Sequence, residues 1–83
     1  MSGGTTAAER PGIAVVGAGY WGPNLVRNFM ASPDWDLRWL VDLDTERAER
    51  VAAPYASVRV TGTLDEALAD PDVTAVAIAT PAR

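Results

Sequence analysis

Six residues, Gly17-Ala18-Gly19-Tyr20-Trp21-Gly22, limit what this chain can fold into more than any other stretch. Glycines in a G-x-G-x-x-G pattern occur in many turns, so the pattern alone is weak; its flanks give it meaning. Before it, Ile13-Ala14-Val15-Val16 is a continuous apolar run, as expected of a strand buried on both faces. After it, Leu25, Val26, Phe29 and Met30 recur at helical spacing over residues 24–30, and Pro23 is tolerated in a first turn. In that setting Gly17 allows a tight turn. Gly19 removes the Cβ that would hold a ligand's phosphates off the backbone, and Gly22 lets helix and strand pack closely. The free N–H groups of the first helical turn, around Tyr20 and Trp21, then face an anion with the helix dipole behind them.

The remaining elements alternate in type. Ser32-Pro33-Asp34 ends the first helix, and residues 37–41 read as a second apolar strand closing on Asp42. Asp44 or Thr45 caps a second helix, whose inward stripe is Ala48, Val51 and Ala52 and which Pro54 stops. Residues 57–60 form a weak third strand. Thr63 with Glu66 fits a capping box opening a short helix through Leu68. Asp70-Pro71-Asp72 is a turn, and residues 73–79 are a fourth strand. The order βαβαβαβ predicts an α/β fold with a parallel sheet in the order 3-2-1-4. That is a partial Rossmann fold, the first half of a doubly wound sheet plus one strand, lacking its later strands. Residues 1–11 read as a flexible leader and 12–83 as an incomplete dinucleotide-binding domain.

A second feature supports a dinucleotide. Asp42 lies 20 residues after Gly22, at the end of the second strand. A carboxylate there accepts hydrogen bonds from the two hydroxyls of an adenosine ribose and repels a 2′-phosphate. Neither Leu43 nor Asp44 offers a cation to offset it, so NAD is expected rather than NADP. Thr80-Pro81 falls at the carboxyl end of the fourth strand, beside the first, where the order of strands reverses and ligands bind. The cofactor-binding candidates are therefore Gly17, Gly19, Tyr20, Trp21, Gly22, Asp42, Thr80 and Pro81. Arg47 lies against the adenine in one reading and on a solvated helix face in the more ordinary one. Asp65, Glu66, Asp70 and Asp72 fit capping and turn roles better than any calcium loop, and no metal is expected.

Composition removes several alternatives. The 83 residues carry a net charge of −4, which gives no electrostatic footprint for nucleic acid or an anionic membrane. No apolar stretch approaches the roughly 20 residues of a membrane span. The first residues lack a basic and then apolar secretory pattern, so the expected compartment is the cytoplasm. There is no Cys, His or Lys. The side chains that most often move protons near neutral pH are therefore absent, and no catalytic residue is assigned.

Gly17 to Phe29, the pair Val41-Asp42, and the segment Ala77 to Ala82 together resemble the glucose–fructose oxidoreductase / inositol dehydrogenase / rhizopine-catabolism (Gfo/Idh/MocA) family. The resemblance runs over nearly the whole chain from Gly12. It implies a two-domain enzyme, with a possible homo-oligomeric assembly, that moves hydride between a nicotinamide cofactor and a sugar, nucleotide-sugar or polyol hydroxyl. By position, Gly17, Gly19, Tyr20, Trp21 and Gly22 would hold the pyrophosphate, Asp42 the adenosine ribose, and Thr80 and Pro81 the nicotinamide side. Family members continue to a Glu-Lys-Pro motif with a catalytic lysine and to a substrate domain with a catalytic histidine. The expectation is thus the NAD-binding portion of an oxidoreductase, not catalytic by itself. The other readings are a stand-alone NAD(H)-binding or sensing module and a remnant without function.

Overall fold

The structure is a computed structural model, and it describes residues 10–19 and 22–79. Four strands and three helices alternate: β1 (Gly12–Val16), α1 (Gly22–Ala31), β2 (Asp36–Val41), α2 (Thr45–Ala52), β3 (Arg59–Thr61), α3 (Leu64–Leu68) and β4 (Val73–Ile78). The strands form one parallel sheet in the order β3-β2-β1-β4, as the alternating pattern predicts. Expected and observed boundaries differ by one or two residues. The largest shift is at β3, where turns after α2 run through Ser57 and delay pairing until Arg59. Of the expected leader, residues 1–9 lie outside the described residues. Arg10 and Pro11 are bonded to the fold: Arg10 Nη1 donates to the Ser32 carbonyl at 3.0 Å, and the Pro11 carbonyl accepts from Asp36 N–H at 3.0 Å.

Alternation along the strands, reset in β2 by a bulge at Arg38 between Leu37 and Trp39, sorts their side chains onto two faces. Ile13, Val15, Leu37 and Leu40 face α1 and α2, where Val26, Ala48 and Ala52 complete a buried cluster. On this side Leu25, Phe29 and Met30 of α1 pack at the margin, with the Phe29 and Trp35 rings edge to face at 6.2 Å between centroids. Ala14, Trp39 and Val41 face the other way, against Ala67 of α3. β1 is thus covered on both sides, which explains its unbroken apolar run.

Strand register fixes where the strands stop. Val16 pairs with Val41 of β2 and with Ile78 of β4, and Val41 pairs with Thr61 of β3. The four strands therefore end in one row. The residues just after them, Gly17, Asp42, Gly62 and Ala79, stand along one edge of the sheet.

Candidate cofactor site

Hydrogen bonds continue past the strand ends and set the floor of this edge. Gly17 N–H donates to the Val41 carbonyl at 2.7 Å, Asp42 N–H to Thr61 at 3.0 Å, and Ala79 N–H to Val16 at 2.7 Å. Gly17 then turns with φ 104°, a left-handed conformation that carries a penalty for any residue with a Cβ. Gly22 is required for a different reason. A Cβ there would stand 2.5 Å from the Gly17 carbonyl oxygen, so a side chain would drive α1 off the turn.

Gly19 has no such internal reason. Its φ is not in the left-handed range, and among the described residues a Cβ would meet nothing closer than the Arg47 guanidinium at 3.9 Å. The space it leaves open belongs to a cleft of about 390 Å³, walled by Gly17, Gly19, Asp42, Leu43, Arg47 and Leu64, with Val16, Val41, Gly62 and Ala79 below. A glycine that no described residue crowds, facing a cleft above the strand ends, is what close approach of a ligand to the backbone requires. The residues present fit a dinucleotide.

Asp42 is the most constrained side chain of the cleft, with 9% of its surface exposed. Its Oδ2 accepts Ala18 N–H at 2.6 Å and Arg47 Nη2 at 3.1 Å; its Oδ1 accepts Asp44 N–H at 2.8 Å. Burial alone would push its pKa up. The Ala18 and Asp44 N–H groups and the Arg47 guanidinium overcome that, and the carboxyl is held below its ordinary range. The acid therefore pins the glycine loop to the end of β2 and starts the turn into α2 as well as facing the cleft. Asp44 caps α2 by accepting Arg47 N–H at 3.1 Å.

The structure brings Gly17, Gly19 and Asp42 together around one cleft and puts Gly22 directly behind it. Tyr20, Trp21, Thr80 and Pro81 lie outside the described residues. Leu43 and Asp44 offer Asp42 no cation, as the sequence shows, but one does stand beside it. It is not at position 43 or 44 but at 47, which one turn of α2 returns to the strand end. Arg47 is thus a wall of the cleft, not only part of a solvated face. Gly62, Leu64 and Ala79 also line the cleft, and sequence reasoning does not single them out. The signal for them lies at the ends of β3 and β4, since residues following aligned parallel strands share one edge.

A sequence model of an oxidoreductase family, described by its NAD-binding Rossmann fold, matches residues 12–83. The chain belongs to the Gfo/Idh/MocA oxidoreductase family. Its four-stranded parallel sheet is part of the family's NAD-binding Rossmann domain. Among similar solved structures is GenD2 from gentamicin A biosynthesis in complex with NAD. It is 45% identical over 99% of this chain and 23% of its own, with a TM-score of 0.82. A myo-inositol dehydrogenase from Corynebacterium glutamicum is 30% identical over 87% of this chain and 21% of its own, with a TM-score of 0.77. An NAD-binding protein from Listeria innocua is 29% identical over 87% of this chain and 21% of its own, with a TM-score of 0.72. The chain spans between a fifth and a quarter of the length of these proteins. Comparison with curated protein sequences gives no match. Among the described residues no helix is long and apolar enough to cross a membrane, and no group of acidic residues is placed to hold a metal ion.

Proposed function

We propose that this Gfo/Idh/MocA domain is the cofactor-holding part of an enzyme that moves hydride between NAD and a hydroxyl-bearing carbon of a sugar, nucleotide sugar or polyol. Gly19 carries the reading, because it faces a cleft, its backbone angle is open to any residue, and among the described residues no contact demands a glycine there. The substrate class is supported by the similar structures, one a myo-inositol dehydrogenase and one from gentamicin A biosynthesis.

Bound NAD supplies a nicotinamide ring that accepts or returns hydride. Gly17, Gly19 and the first turn of α1, with Tyr20, Trp21 and Gly22, hold the pyrophosphate through backbone N–H groups. Asp42 orients the adenosine ribose, and Thr80 and Pro81 line the nicotinamide side. The chain contains no Lys or His. Neither of these proton-transfer groups is thus supplied here, and what this domain contributes is binding and orientation of the cofactor.

The test is an NAD and NADH titration of the protein that contains this chain, followed by tryptophan fluorescence with circular dichroism alongside. Saturable binding is expected for the wild type. Gly19→Ala should fold as the wild type does and bind about tenfold or more weakly, since its methyl group fills the space of the phosphates. A well-folded wild type that binds neither form of the cofactor would contradict the reading.

A further inference from the structure

The Asp42 carboxylate that faces the ribose position is not bare. Arg47 Nη2 lies 3.1 Å from Asp42 Oδ2, and the guanidinium Cζ and Nη2 each lie 3.9 Å from where a Cβ on Gly19 would stand. The positive charge thus occupies the cleft between the glycine loop and the acid. Arg47 is the third residue of α2 after its cap, in the helix's first turn. A cation at a helix N-terminus is electrostatically unfavourable, so the helix itself has no use for it there.

The donors to Asp42 differ in kind. Two of the three are backbone N–H groups held by the loop and by the turn into α2. Arg47 is the movable one, a long side chain 44% exposed. Among the described residues its guanidinium donates only to Asp42, so the rest of its planar fork of N–H donors points to no protein acceptor. With two bonds on Oδ2 and one on Oδ1, the carboxylate has little capacity left to accept two ribose hydroxyls unless Arg47 withdraws.

We infer that Arg47 is a specificity-determining residue of this cleft: it offsets the charge of Asp42 and offers its free N–H donors to a 2′-phosphate, so that the domain binds NADP as well as NAD. The inference rests on the proposed cofactor role of the cleft and concerns the ribose end alone. Arginine suits the task because its planar N–H pairs match phosphate oxygens. The same side chain competes with the ribose hydroxyls of NAD for Asp42 Oδ2. Removing it therefore has opposite effects on the two cofactors.

The experiment measures equilibrium binding of NAD and of NADP to the protein that contains this chain, in the wild type, Arg47→Met and Arg47→Lys. Methionine keeps much of the apolar stem without the charge. Losing one charge-assisted phosphate contact should weaken NADP about tenfold in Arg47→Met, while NAD tightens about two- to threefold. Arg47→Lys should keep most of the NADP affinity, since a point charge still binds phosphate. Added salt should weaken NADP binding more steeply in the wild type than in Arg47→Met. An unchanged ratio of the two affinities in Arg47→Met overturns the inference, as does a wild type that binds NAD but shows no NADP binding at millimolar concentration. A wild type that binds neither cofactor removes the cofactor reading itself, a failure distinct from the other two.

Discussion

At the scale of single residues, three glycines of one motif are glycine for three separate reasons, and substitution should separate them. Gly22→Ala puts a methyl group against the Gly17 carbonyl and should cost about 2–4 kcal/mol, as backbone clashes in packed regions do. Gly17→Ala forces a Cβ into a left-handed φ and should cost about 1–2 kcal/mol. Gly19→Ala should leave stability within about 1 kcal/mol of the wild type, even slightly raised, because it only restricts the unfolded chain. Urea midpoints of the three variants check the ordering; equal losses at all three positions would refute it. Asp42 shows the opposite coupling. Because it accepts two backbone N–H groups, Asp42→Ala should lose about 1–3 kcal/mol of stability along with cofactor affinity. Asp42→Ser combined with Leu43→Arg should move preference toward NADP, read from the two dissociation constants. Leu43 is 93% exposed, so the new arginine fits without repacking.

At the scale of elements, the capping box expected at α3 is half formed and half relayed. Thr63 Oγ1 accepts Glu66 N–H at 3.3 Å, as the pattern requires. The return bond passes through a third residue: Thr63 N–H donates to Thr61 Oγ1 at 3.2 Å, and that hydroxyl in turn donates to Glu66 Oε1. Sequence spacing reveals the cap but not the relay, because Thr61 belongs to the preceding strand and is 5% exposed. Thr63→Ala should cost about 1 kcal/mol by thermal melting. At the opposite end of the sheet, Arg38 of β2 joins the turn before β4. Its Nε donates to Asp70 Oδ2 at 2.8 Å, and Trp39 Nε1 donates to the same oxygen at 2.9 Å. The Arg38 hydrogen bond, with the Asp72 N–H and the Trp39 indole, lowers the Asp70 pKa to about 2. A carboxyl depressed in the folded state adds stability above its unfolded value near 4, and that stability is lost as pH falls toward the folded value. Asp70→Asn should therefore flatten the fall in melting temperature between about pH 4 and pH 2, removing on the order of 1 kcal/mol for a partly exposed pair. An acid-melting profile identical to the wild type would show that the contact contributes nothing.

At the scale of the molecule, the two faces of the sheet are covered unequally. α1 and α2 bury one face, while on the other the short α3 packs mainly over β2 and β3 and reaches β1 at Ala14. Ile78 of β4 is 67% exposed and Leu68 of α3 is 50% exposed. Among the described residues β4 is also an edge strand, so apolar surface and unpaired backbone groups coincide there. The 83-residue chain by itself should therefore associate as its concentration rises, and Ile78→Lys should reduce this in sedimentation velocity. The order of elements, the sheet order and the roles of Gly17 and Gly22 were legible in the sequence. Each follows from local signals: an apolar run, a helical period, a turn residue, a spacing to Asp42. Arg47 beside Asp42, the Thr61 relay and the Arg38–Asp70 clamp were not. Each joins groups from different elements, and only the register of parallel strands and the rotation of a helix on the sheet bring them within reach. Local patterns of hydrophobicity and glycine determine which elements form and in what order. Which charges meet at the ends of those elements is decided by tertiary packing, because a hydrogen bond acts over about 3 Å and no spacing along the chain specifies that distance.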